Sequence, residues 1–138
     1  MSDPTALRAA IAAIATLLIL DGLWIALFMG RRYSTMIPTL QGGTPMRVRV
    51  WTAVVAYLLM CLGLLVFVLP QVRDAARDGK STLRSALFYG GLFGIVVYGV
   101  YDATAATVLT DWSIPVALAD VAWGGFVYAT AAYVGSLP

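Results

Sequence analysis

The sequence predicts an all-α integral membrane protein of four antiparallel transmembrane helices, and three observations lead there. Hydrophobic residues make up 61% of the 138-residue chain and charged ones 12%, against roughly half and about a quarter in a soluble domain. The apolar residues collect in four long runs, and about 30 Å of hydrocarbon takes about 20 of them as a helix. Lys and Arg keep to the ends of these runs and to the connections, so the only charges deep inside are Asp21, Asp102 and Asp120.

Each run has recognisable ends. The first starts at Asp3-Pro4, an acceptor followed by a first-turn proline, and spans residues 4–29 before Gly30, Arg31 and Arg32. Its apolar stretch from Ala9 to Met29 is longer than a signal-peptide core and is followed by arginines, so it reads as a span. The second opens at Thr44-Pro45 and covers 45–69, ending before Pro70. The third opens at Ser81-Thr82 and covers 82–109, and the fourth, with Pro115 in its first turn, covers 115–135. Residues 30–44 read as a connecting loop, and the whole chain as a single membrane domain.

The composition excludes several chemistries. The chain has no histidine and no glutamate, and Cys61 has no partner, so haem, an internal disulfide and a histidine- or cysteine-ligated metal are not expected. Cys61 reads as a small apolar packing residue. The net charge of +2 comes from basic residues at both ends of the bundle, which is no nucleic-acid interface. With four spans the termini share one side, together with Arg8, Arg73, Arg77, Lys80 and Arg84, against Arg31, Arg32, Arg47 and Arg49 opposite. Positive-inside counting favours cytoplasmic termini by one residue, and the expected address is a bacterial inner membrane.

The three aspartates carry the functional reading. At about 1.5 Å per residue, Asp21 lies about 12 Å from the end of its span, Asp102 about 10 Å and Asp120 about 8 Å, all towards the same face. An aspartate at a helix centre costs about 2.5 to 3.5 kcal/mol to insert, so three at one depth predict a polar pocket in the bundle interior. Asp21-x-x-Trp24 and Asp120-x-x-Trp123 repeat one spacing on two helices, which puts each ring on the face of its acid. Tyr98 and Tyr101 flank Asp102, and Trp51 and Thr52 enter from the second span at matching depth. Trp51 and Trp112, near helix ends, are equally readable as an interfacial belt. Gly90, Gly91 and Gly94 read as a helix-packing surface that centres the third span. The expected binding residues are therefore Asp21, Asp102, Asp120, Trp24, Trp123, Tyr98, Tyr101 and Thr52.

Tyr-Asp-Ala-Thr-Ala at 101–105, Asp-Val-Ala-Trp-Gly at 120–124 and Asp-Gly-Leu-Trp at 21–24 together resemble a bacterial family of small four-span membrane proteins of unknown function. Its pattern is Y-D-x-T-N in the third span and D-x-x-W-G in the fourth. Ala105 stands where the family usually has asparagine. The resemblance implies an association with enzymes that modify membrane fatty acids, such as cyclopropane-synthase-like methyltransferases.

Two functional expectations follow. In one, the pocket binds or transports a cation or small solute, with carboxylates for the charge and ring faces for an organic cation, and a homodimer as the expected assembly. In the other, the chain is a membrane enzyme or accessory subunit in fatty-acid or lipid modification, with membrane lipid as its partner and the aspartates as acid, base or metal ligands. The residues name no catalytic group and no cofactor.

Overall fold

In the computed structural model, which describes residues 4–138, the described residues form four long helices and no strand. They are α1 (Pro4–Leu40), α2 (Val50–Arg77), α3 (Thr82–Val108) and α4 (Ile114–Gly135), each long and apolar enough to cross a membrane. Their outward faces carry exposed Leu, Ile, Val and Phe, among them Leu7, Ile19, Leu27, Leu58, Phe67 and Leu92. Water would penalise such a surface and hydrocarbon does not.

The first helix is longer than the sequence suggests. The residues expected as a loop, 30–44, are helical to Leu40. Arginines mark where apolar residues end, yet they are good helix formers, so they do not stop a helix. The stop comes at Gly42 and Gly43, whose φ values of 62° and 91° suit a left-handed C-terminal cap. Gly43 N–H then bonds the carbonyl of Pro38 at 2.7 Å. The next helix begins at Val50 rather than at Pro45, and it continues past Pro70 to Arg77. A π-turn at Leu64–Val68 makes this continuation feasible, because it opens the ladder where proline lacks an N–H and its ring crowds the preceding turn. Similar π-turns occupy Ile25–Met29 in α1 and Ala86–Gly90 in α3. Ser81 precedes α3 and its hydroxyl accepts the Arg84 N–H, and Ser113 precedes α4.

The fourth helix, not the third, is the central one, with α1 and α3 packed along its length. The glycine surface of α3 does pack, and it packs on α4. A Cβ on Gly90 would lie 2.7 Å from the Tyr128 carbonyl oxygen, and one on Gly94 would overlap the Gly124 backbone. On the other side Gly135 meets Ala9 and Ala13 of α1. Such small residues let backbones approach, which drives association where lipid removes the hydrophobic incentive.

The bundle is tight at one end and open at the other. Near the termini, Ala13 and Leu17 of α1, Leu64, Val68 and Val72 of α2, Ala86 of α3 and Val127 and Ala131 of α4 form a sealed core. Beyond it the first turns of α2 lie away from the other helices, and Gly63 is the only buried residue in Val50–Gly63. The space left between them is the candidate site.

Candidate functional site

The open half holds a cavity of about 500 Å³. Phe93, Met60 and Tyr128 make its floor. Tyr128 is fully buried and donates its hydroxyl to the Met60 carbonyl at 3.1 Å, and the Phe93 ring lies 5.2 Å from that of Tyr128. Gly63 makes room for this floor, since a Cβ there would fall 2.6 Å from Phe93 Cζ. One wall carries Asp21, Trp24, Met29 and Tyr33 of α1, and the opposite wall Ala53, Ala56 and Tyr57 of α2. Val97, Tyr98 and Tyr101 of α3 and Asp120 of α4 complete it. Exposed Ile25, Leu59 and Tyr101 stand at its rim, so the cavity opens sideways through the bundle surface.

All three aspartates are buried, at 4%, 3% and 6% exposure for Asp21, Asp102 and Asp120. Asp21 is bonded to every other long helix. Its Oδ2 accepts from Tyr57 of α2 at 2.8 Å, and its Oδ1 from Tyr98 of α3 at 2.5 Å and Trp123 of α4 at 3.3 Å. Hydrogen bonds to a charged group contribute about 1.5 to 3 kcal/mol each, so three neutral donors offset the insertion cost of one carboxylate.

The repeated D-x-x-W spacing has a specific consequence. Trp123 of α4 donates to Asp21 of α1, while Trp24 of α1 donates to Asp120 of α4 at 2.8 Å. The two indoles stack between them, with centroids 4.7 Å apart and planes 6° from parallel. Each motif therefore supplies the donor for the other's acid, a reciprocal clasp that antiparallel helices with matched spacing allow. Asp102 behaves differently. Its Oδ1 accepts the Trp112 indole N–H at 3.1 Å, its Oδ2 is buried with no donor, and its carboxyl group faces that of Asp120.

The aspartates thus do not form the single convergent triad that equal depth suggests. Asp21 and Asp120 share the cavity, and Asp102 meets Asp120 from outside the lining. No three acidic or cysteine side chains among the described residues stand together as metal ligands. Trp24, Tyr98 and Tyr101 line the cavity, and Trp123, which is not among the lining residues, donates to Asp21. Thr52 does not join them. It is exposed, and its hydroxyl bonds the carbonyl of Arg49 in its own first turn. Of the two ambiguous tryptophans, Trp51 is 69% exposed, as a belt residue would be, whereas Trp112 is buried on Asp102. Sequence reasoning missed Tyr33, Tyr57 and Tyr128. Tyr57 gave no signal beyond lying one turn from Ala53 on a face of small residues. Tyr33 was hidden by the loop assignment, and its ring lies 6.1 Å from that of Trp112.

The family model described as "Predicted membrane protein (DUF2177)" matches residues 6–137. No curated protein and no solved structure matches the chain.

Proposed function

Because the chain belongs to this family of membrane proteins of unknown function, its activity has to be read from its own cavity, and we propose that it binds a small amphiphilic cation for transport. The ligand class is an amine or quaternary ammonium on an apolar body. The observation that carries this reading is the lining: two buried carboxyl groups and a series of Trp and Tyr rings, with no Lys or Arg among them. Ring faces and carboxylates attract a cation in the same direction, and the volume lies in the range of about 300 to 1,000 Å³ that small-molecule sites occupy. Asp21 already accepts from three donors, which leaves Asp120, with Trp24 as its one bonded donor, as the counter-ion for the head group. The floor of Phe93, Met60 and Tyr128 takes the apolar body. Positive-inside counting favours cytoplasmic termini by one residue, the address this reading takes is a bacterial inner membrane, and a homodimer supplies the further helices that alternating access needs.

Thermal unfolding of the detergent-purified protein with alkylammonium ions of increasing chain length tests this. A ligand bound only by the folded state stabilises it by about 2.7 kcal/mol at a hundredfold excess over Kd. The expected result is stabilisation that grows with chain length, is absent for neutral alcohols of equal size, and is lost in Asp120→Asn. A second reading is favoured by the exposed rim at Ile25 and Leu59, through which a lipid chain has access to the cavity. In that reading the protein serves fatty-acid or lipid modification. Stabilisation by fatty acids and by no cation moves this reading ahead of the first.

A further inference from the structure

Asp102 and Asp120 present a problem that Asp21 does not. Asp21 has a donor from each neighbouring helix, whereas Asp102 and Asp120 each receive one indole N–H. Asp102 Oδ2 is sealed from solvent with nothing to donate to it, in a side chain more than nine-tenths buried. A carboxylate has about four acceptor positions, and an unmet one in an apolar interior is costly. The groups around the pair are Trp24, Tyr33 and Asp21 of α1, Tyr98 and Tyr101 of α3 and Trp112 of the connection before α4. None carries a positive charge. Among the described residues the one ion pair, Arg77 with Asp74, is made by exposed side chains at the other end of the bundle. Two adjacent anions with two neutral donors are therefore an unfavourable state of this site, and the facing carboxyl group is a source of the missing donor.

We propose that Asp102 and Asp120 hold one proton between them as a carboxylic acid–carboxylate pair, and that a cationic head group arriving at Asp120 releases it. In the resting pair one carboxyl group donates O–H to the other, so Asp102 Oδ2 is satisfied and the pair carries a single negative charge. When a monovalent cation binds from the cavity, the proton leaves to water through the mouth beside Tyr33 and Tyr101. The second carboxylate charge then balances the cation, and no other bond is made or broken. Asp120 is the only one of the two that lines the cavity, which makes it the residue where proton and ligand compete. The exchange half of this inference rests on the cation-binding reading above, whereas the resting pair does not.

Infrared spectroscopy of the purified protein at neutral pH separates the two halves. The expected result is a carbonyl-stretch band of a protonated carboxyl group that shifts down in deuterium oxide. The band disappears in Asp102→Asn, because the new amide donates to Asp120 and the proton is no longer needed. Asp120→Asn gives the same loss from the other side, so either variant decides if the other does not fold. Absence of the band in the wild type, or its survival in the folded variants, overturns the pair. In weakly buffered solution, tetraalkylammonium binding releases one proton per site in the wild type and none in Asp102→Asn. Binding without proton release overturns the exchange alone. Failure of every cation to bind overturns the exchange and the proposed function together, while the band still decides the pair.

Discussion

The aspartates show how three identical residues acquire different roles from their donors. Asp21 accepts from Tyr57, Tyr98 and Trp123, so replacing it strips partners from three helices at once. Asp21→Asn leaves at least one of those donors facing an amide N–H, and a loss of about 1 to 3 kcal/mol is expected. Asp102→Asn supplies a donor where one is missing and is expected to stay within about 1 kcal/mol of the wild type. Chemical or thermal unfolding in detergent gives both values, and a ranking in the opposite order contradicts the donor assignment. Much of this was legible in advance. The three buried acids and the repeated D-x-x-W spacing are visible in the sequence, because charge inside an apolar run cannot be hidden. The exchange of partners between the two motifs was not, since spacing along one helix says which ring shares a face with an acid but not which helix that face meets. Tyr57 was illegible for the same reason, as its role exists only across the gap to Asp21.

At the scale of helices, small residues decide contact and special backbone turns decide length. Gly94 has no room for a methyl group against the Gly124 backbone, whereas a Cβ on Gly22 meets nothing within 4 Å. Gly94→Ala is expected to abolish a folded, monodisperse preparation, because backbone atoms cannot step aside as a flexible side chain does. Gly22→Ala is expected to leave the melting temperature unchanged or slightly raised. Size-exclusion profiles of the two variants side by side make the comparison. The glycine surface was readable from sequence, but its central partner was not, because small residues on α4 at 124, 125 and 135 serve two neighbours and only the assembled bundle ranks them. The extent of α1 was misread because arginines report the end of an apolar stretch, while the helix answers to the paired glycines eleven residues further on. The π-turn before Pro70 likewise turns a residue that reads as a terminator into one the helix absorbs.

The whole molecule is a bundle closed at its terminal end and open at the other, and this asymmetry makes a cavity out of an otherwise ordinary fold. Filling the space should therefore stabilise and inactivate together. Ala53→Phe projects a ring into the cavity from α2, and the expected outcome is a higher melting temperature with loss of the alkylammonium-dependent shift. An unchanged ligand response in that variant places the binding site elsewhere. The fold class was fully legible from composition and apolar runs, whereas the open half was not, because nothing local to 50–63 distinguishes a helix segment packed on neighbours from one standing off them.

The bonding of Asp21 also sets an order of events during synthesis. Its helix leaves the ribosome before α4, to which Trp123, another of its donors, belongs. Until α4 arrives, the first helix holds a carboxylate without its full shell, and the glycine face of α3 has no surface to meet. The bundle is thus committed late, with Asp21 waiting on α4. A chain ending at residue 113 retains three helices of sufficient length for insertion and lacks the one that ties them. It is expected to be inserted and then removed by membrane proteolysis, at a rate that pulse-chase labelling reads beside the full-length protein.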